Sequence, residues 1–399
     1  MSTYRLGIKT MKKIIHVGYE HSEKDTRIFE KECLSLAKKP NYQITYITSE
    51  KSGASPGEYC ERGVAIRILP IVNKRYVRLL YYLRDLKKEL LLRDADLYHI
   101  HEPWLIPVIA GSLKRHGKTV IFDMHELYRE QFMQRRGFAA KIIGHLYRAY
   151  ERYALPKLDA VIFPCRVRGG DPLEGFALKR PTVYIDNLPI TEEPDPALMA
   201  EAEKNIDSLM AGFDPKGAPV CVYAGSLSEI RGITSAVKGS FLAGAKLVLA
   251  GQFESASYEE RLRSMPEWEC VTYVGTLSQM EVRALNRHCD IGLSTLLNAG
   301  QYYSVDNLPT KVHEYLQQGM PVIINDSPFN VSLLNDYRIG FAVDPSDPEE
   351  IAEAIRTISR DPGLSEAMGE EGRRAVKERF SWSFEEKKLY VLYEELLGE

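Results

Sequence analysis

An acid at 306, a threonine–lysine pair at 310 and 311 and a second acid at 314 fall close together in Asp306-Asn307-Leu308-Pro309-Thr310-Lys311-Val312-His313-Glu314. Pro309 is placed to open a helix, because its missing N–H would find no partner in a first turn anyway. The open amides and positive dipole end around Thr310 and Lys311 can then hold a phosphate. Asp306 and Glu314 offer carboxylate oxygens, which accept hydrogen bonds from sugar hydroxyls. An ordinary capped helix with Glu314 exposed is the alternative. A second group lies in Tyr223-Ala224-Gly225-Ser226-Leu227-Ser228-Glu229-Ile230-Arg231-Gly232-Ile233. It reads as a strand, a glycine turn and a helix. Gly225 permits close backbone approach, and the Arg231 guanidinium cannot lose its charge. Phosphates between this turn and the Pro309 helix would be gripped from two sides; a solvated arginine on a common turn is the competing reading.

The first half holds a third group. His125, in Asp123-Met124-His125-Glu126, follows the apolar run Val120-Ile121-Phe122, at the carboxyl end where parallel sheets bind ligands. A histidine bonded to a neighbour is the alternative. His101-Glu102-Pro103 follows Leu97–Ile100 in the same way and reads as shaping the cleft beside His125. The segment Glu23-Lys24-Asp25-Thr26-Arg27-Ile28-Phe29 precedes a long helix whose start is another anion site in prospect. His99 and His101 alternate on one strand face, yet no further ligand set is evident, so zinc is not expected. Asp94-Ala95-Asp96 precedes its strand and reads as helix end and loop. The phosphate-loop signature and the spaced glycine triplet of dinucleotide binders are absent.

The elements that position these groups alternate along the chain. In the first half, apolar runs at Lys12 to Val17, Gln43 to Thr48, Val64 to Leu69, Leu97 to Ile100, Thr119 to Phe122, Ala160 to Phe163 and Val183 to Ile185 read as strands. Helical stretches lie between them at Arg27 to Lys39, Lys74 to Arg93, Trp104 to Arg115 and Ala140 to Tyr153. The pattern restarts after a Pro-, Glu- and Asp-rich stretch, with strands at Val220–Tyr223, Lys246–Ala250, Val271–Val274, Ile291–Ser294, Pro321–Ile324 and Gly340–Val343. Continuous apolar strands alternating with helices imply parallel sheets covered on both faces. The predicted fold is two facing, doubly wound, Rossmann-like α/β domains with the ligand at their strand ends. The expected boundaries are a tail at 1–10, a first domain at 11–190, a linker at 191–217, a second domain at 218–380, and a C-terminal helix at 381–399 packing back on the first.

Composition is ordinary, at 44% hydrophobic and 27% charged. No apolar run is long enough to span a bilayer, and no secretory signal is seen, so a cytoplasmic protein is expected. Six cysteines without close pairing fit a reducing compartment and argue against a metal or disulfide framework. The net charge of −3 conceals an asymmetry: residues 1–190 carry +12 and the remainder −15. The basic half, with Lys74, Arg75, Arg78, Arg84, Lys87 and Lys88, Arg135-Arg136 and Lys141, could rest on an anionic membrane at the inner face of the plasma membrane; a solvated face is the alternative.

Together these segments resemble a family-4 retaining glycosyltransferase of the GT-B superfamily. The resemblance is carried by Asp25 through Glu32 with Ser35-Leu36-Ala37, by Asp96 through Pro103, by Asp123 to Glu126, and above all by Leu308 to Tyr315 with Gly319-Met320-Pro321-Val322-Ile323. It implies that Glu314 is the second of a paired-acid motif, near the donor ribose. Asp306 would take the first acid's place at the sugar hydroxyls, Arg231 would hold the donor diphosphate, and His125 would touch the transferred sugar. Gly225, Ser226, Gly251, Gly275, Leu308, Thr310 and Lys311 complete the donor side. Asp25, Thr26, Arg27, His101 and Glu102 are assigned to the acceptor or cleft. The chain departs from the family in three places: Asp306 is one methylene shorter than the usual glutamate, Ser226 replaces an arginine, and Asp25-Thr26 replaces a glycine pair. The expected reaction moves a hexose from a UDP- or GDP-linked donor to a glycan or lipid-linked acceptor. It would serve cell-surface polysaccharide or glycoconjugate synthesis, with no metal, cofactor or nucleic acid. A nucleotide-sugar epimerase and an inactive partner subunit of the same fold are the alternatives.

Overall fold

The computed structural model describes residues 11–50, 54–71, 78–125, 138–167, 170–171, 173–180, 182–191, 194–298 and 305–398. The expected sites at Glu126, Lys74, Arg75, Arg135 and Arg136 lie outside these residues. The chain divides into two compact units, Met1–Asn187 with Trp382–Glu399, and Leu188–Ser381.

The first unit is built on an eight-stranded sheet. Its spatial order is Gly57–Glu61, Val64–Leu69, Tyr42–Ser49, Lys12–Val17, Leu97–Ile100, Thr119–Asp123, Ala160–Phe163 and Val183–Tyr184. Strands such as Leu97–Ile100 are buried at every position, as a sheet covered on both faces requires. All neighbours run parallel except Gly57–Glu61, which pairs antiparallel with Val64–Leu69. Sequence periodicity did not disclose this edge hairpin. It depends on two consecutive left-handed residues, Arg62 (φ 50°) and Gly63 (φ 86°), which match a tight turn to strand twist. Strand order reverses on either side of Lys12–Val17, the position where open α/β sheets bind ligands.

The second unit carries six parallel strands in the order Val271–Tyr273, Lys246–Ala250, Val220–Ala224, Ile291–Ser294, Val322–Asn325 and Gly340–Val343. Alternate residues of Val220–Ala224 feed two cores. Val220, Val222 and Ala224 pack with Val312 and Leu316 on one face. Cys221 and Tyr223 pack with Ile233 and Val237 on the other. The stretch 191–217, read from composition as a linker, contains the helix Pro196–Leu209, capped by Asp195. Its Met199, Ala202 and Ile206 are buried in the second unit's core, so tertiary packing orders a segment whose composition is polar.

The last helix, Trp382–Leu397, docks on the first unit. Trp382 Nε1 donates to Ser35 Oγ at 2.8 Å, and Tyr390 Oη donates to the Ser35 carbonyl at 2.8 Å. Glu385 accepts the Asp186 N–H at 2.9 Å and pairs with Lys388 at 2.7 Å. Burial, then the Glu385 charge, pushes the Asp186 carboxyl up to about 6. A folded pKa above the unfolded value makes the charged form costly, so stability falls as pH rises from about 4 through 6. Asp186→Asn is therefore expected to stabilise the protein by on the order of 1–2 kcal/mol at pH 8 and to do little at pH 4. Thermal melts at the two pH values check this. Equal shifts at both would show that the cost is not electrostatic.

Candidate functional site

In the second unit, three glycine turns end three adjacent strands. Gly225 (φ 137°), Gly251 (φ 138°) and Gly275 (φ 78°) follow Val220–Ala224, Lys246–Ala250 and Val271–Tyr273. The Gly225 N–H donates to Ala250 O at 2.8 Å, and the Gly251 N–H to Gly275 O at 2.7 Å. A Cβ at Gly251 would sit 1.8 Å from Gly225 O, so only glycine fits there. These turns bring bare backbone to the carboxyl end of the sheet.

The Glu229–Arg231 turn is fixed from the far side of the strand-order reversal. Thr295 Oγ1 donates to the carbonyls of Arg231 and Gly232, both at 3.2 Å. The Leu297 N–H donates to Ile230 O at 2.9 Å. Gly232 (φ 69°) lies so close that an added Cβ would come 1.9 Å from Thr295 O.

The helix Thr310–Gln318 is held to the same sheet through Tyr315, whose hydroxyl accepts the Ala224 N–H at 3.2 Å and donates to Val222 O at 3.4 Å. Pro309 stands one position earlier than expected, at the N-cap, and gives no side-chain cap. Thr310 is therefore the first helical residue, exposed at the amide-lined end. Lys311 folds back over the Tyr223 ring, its ammonium 3.6 Å from the centroid, and would lie 3.1 Å from a Cβ at Gly225. Burial, then the nearby Arg231 charge, holds the Lys311 pKa well below its ordinary value, with Glu314 acting the other way. Glu314 is half-buried, with the Gln279 amide 3.5 Å away. Asp306 is half-buried, and Ser226 is exposed beside Gly225. Leu308 is in the core, so a ligand could meet only its backbone.

In the first unit, several residues expected at the acceptor or cleft are bonded within the protein itself. Arg27 is buried and bonds Asp123 bidentately, Nε to Oδ2 at 2.7 Å and Nη2 to Oδ1 at 2.9 Å. Both terminal nitrogens also reach Ile185 O at 3.2 Å. Asp25 caps its own helix, accepting the N–H groups of Arg27 and Ile28 at 2.9 Å. The anion site expected at this helix start is thus filled by a carboxylate of the chain itself. Glu102 is buried and accepts the Tyr19 and Glu20 N–H groups at 2.8 Å each. Thr26 is exposed.

His125 remains half-buried, its Nε2 at 3.1 Å from Asp123 Oδ2 and 3.1 Å from His101 Nδ1. His101 is fully buried, and burial lowers its pKa to about 4. Behind it stand His16, His99 and Glu32, two of which the sequence reading did not single out. The one signal was polar residues in strands otherwise apolar. Burial, then His101, lowers the pKa of His16 and His99, while burial, then Asp123, raises that of Glu32.

Two family descriptions match the chain: Glycosyl transferases group 1 over residues 213–375, and Glycosyltransferase Family 4 over residues 33–167. No curated protein matches. Among solved structures, a sucrose-phosphate synthase from Thermosynechococcus elongatus superposes with TM-score 0.72 at 18% identity, covering 97% of this chain and 99% of that one. A glycosyltransferase from Rickettsia africae gives 0.68 at 14% identity, with coverages of 97% and 99%. Anabaena HepE, in complex with UDP and glucose, gives 0.66 at 14% identity, with coverages of 96% and 100%. At these identities the likeness is one of fold. No helix among the described residues is long and apolar enough to cross a membrane.

Proposed function

We propose, from the premise that the chain is a family-4 glycosyltransferase of the GT-B type, that it moves a sugar from a nucleoside-diphosphate donor to an acceptor hydroxyl on a glycan or lipid-linked carrier, with retention of configuration. The observation that carries this reading is geometric: the uncapped start of Thr310–Gln318 and the Lys311 ammonium, 3.1 Å from a Cβ placed at Gly225, lie together at the glycine turns that end the strands. A diphosphate there would meet helix amides, a lysine and bare backbone at once.

The acceptor oxygen attacks the anomeric carbon on the face from which the diphosphate departs. The carbon–phosphate oxygen bond breaks, the new glycosidic bond forms, and a diphosphate oxygen takes the acceptor proton. Arg231, Lys311 and the helix amides meet the charge that grows on the leaving group, the role a divalent ion plays elsewhere. Glu314 and Asp306 are assigned to the donor's hydroxyls, and His125 to the transferred sugar. HepE has been solved with UDP and with UDP-glucose, which makes uridine donors the first to try.

A thermal-shift panel of UDP-, GDP- and ADP-linked sugars tests the proposal. A true donor at a hundredfold excess over its dissociation constant is expected to add about 2.7 kcal/mol of stability. Donor turnover without any acceptor would favour epimerisation. Failure of every nucleoside diphosphate to bind would favour an inactive partner subunit.

A further inference from the structure

Four side chains at the centre of the first unit belong to no step of the reaction above. His16 lies on Lys12–Val17, in register with His99 on Leu97–Ile100; His101 follows that strand, and Glu32 comes from Thr26–Cys33. All four have 0% exposure. His16 Nδ1 is 3.0 Å from His101 Nε2 and 3.7 Å from Glu32 Oε2. The same carboxylate oxygen lies 3.9 Å from His99 Nδ1 and 3.9 Å from His101 Nε2. Neither Glu32 oxygen meets a donor at hydrogen-bond geometry; the Arg27 guanidinium, 3.3 Å from Oε1, is shared with Asp123, and Oε2 faces the three imidazoles. A buried carboxylate oxygen without a donor is costly, and a cation among the imidazoles would lower that cost.

We propose that this cluster is a structural site for a divalent transition-metal ion of the zinc class, held by His16 Nδ1, His99 Nδ1, His101 Nε2 and Glu32 Oε2. Zinc bonds of about 2.0–2.1 Å place tetrahedral ligand atoms about 3.3 Å apart. The four separations above, 3.0 to 3.9 Å, bracket that value, and all the ligand atoms lie within 4.8 Å of one another. Three imidazoles and one carboxylate select zinc or its neighbours over magnesium and calcium, which prefer all-oxygen shells. Two of the three imidazoles have outer partners, and His99 Nε2 has none. His16 Nε2 meets the Tyr393 hydroxyl at 3.2 Å, and His101 Nδ1 faces Asp123 Oδ2 at 3.6 Å. Arg27 Nε approaches the other Glu32 oxygen at 3.3 Å. The Tyr393 hydroxyl also lies 2.7 Å from His99 Nδ1; on metal binding it leaves that nitrogen and keeps its contact with His16.

With four buried protein ligands there is no open position for substrate or water, so the ion is a clasp and not a Lewis acid. It joins two central strands and the first helix and, through Tyr393, the C-terminal helix.

The test is elemental analysis of full-length protein purified without chelator, followed by chelator stripping and titration with zinc and with cobalt. About one ion per chain is expected, with the visible absorption of tetrahedral cobalt and a higher melting temperature in the loaded form. Glu32→Gln and His99→Ala are expected to lower metal affinity by roughly tenfold or more. Wild-type protein that holds less than about a tenth of an equivalent, both as purified and after incubation with excess zinc, would overturn the site in favour of a hydrogen-bonded cluster with Glu32 protonated. Metal uptake unchanged in both variants would also overturn it, as binding elsewhere. The wild-type measurement decides even if a variant does not fold.

Discussion

Arg231→Ala is expected to cut sugar transfer by about two to three orders of magnitude while leaving the melting temperature nearly unchanged. In the proposed reaction the side chain would supply a fixed positive charge to the leaving diphosphate, an effect largest when that charge is greatest, in the transition state. The turn does not need the side chain, because its backbone is held by Ser228 O, Thr295 Oγ1 and the Leu297 N–H to Ile230. Removing Arg231 also relieves Lys311, one of whose perturbers is that charge. Some affinity for nucleoside diphosphate should therefore survive through Lys311 and the helix amides. Arg231→Lys keeps the charge but loses the planar fork, so it should fall between alanine and wild type. Initial-rate kinetics with matched thermal melts separate these outcomes. An alanine variant as fast as wild type would remove Arg231 from the mechanism.

The largest stability effect is expected at Asp123. Asp123→Ala leaves the buried Arg27 guanidinium with the Ile185 carbonyl and the more distant Glu32 and Asp186 charges, and should cost about 3–5 kcal/mol. Burial alone would raise the Asp123 pKa; the Arg27 charge overrides it and holds the carboxyl well below its ordinary value. A depressed carboxylate stabilises above its unfolded pKa, and that contribution is lost as pH falls through the folded value. The wild-type protein should therefore lose this contribution only in strong acid, whereas the variant is weakened at neutral pH. A paired Arg27→Met, Asp123→Leu variant, which removes both charges, should recover more than half of the loss. Denaturant melts of the three proteins decide the point. Equal losses in single and paired variants would mean that packing, not the unpaired cation, sets the cost.

Much of the local structure around the proposed donor side was legible over short windows. Pro309, Thr310 and Gly319 mark the limits of one helix, and Gly225 with Gly232 marks a turn, because capping and left-handed backbone are decided within a few residues. Asp25 caps its helix by the same kind of local rule, a role that takes up the helix start expected to bind an anion. Arg27, His101 and Glu102 were assigned to the acceptor or cleft; all three are buried, with His101 3.1 Å from His125. The helix Pro196–Leu209 was hidden because its polar composition masks three apolar contacts at helical spacing.

The amino-acid sequence alone set most of the alternation of strands and helices, the Gly225 turn, and the limits of the helix Thr310–Gln318. Each is set by backbone sterics and by periodicity along neighbouring residues. Only the tertiary structure decided which distant side chains meet: Arg27 with Asp123 across 96 positions, His16 with His101 across 85, and Thr295 with Gly232 across 63. Those meetings depend on sheet order and register, which arise from the burial of whole strands and leave no mark in any short stretch of chain.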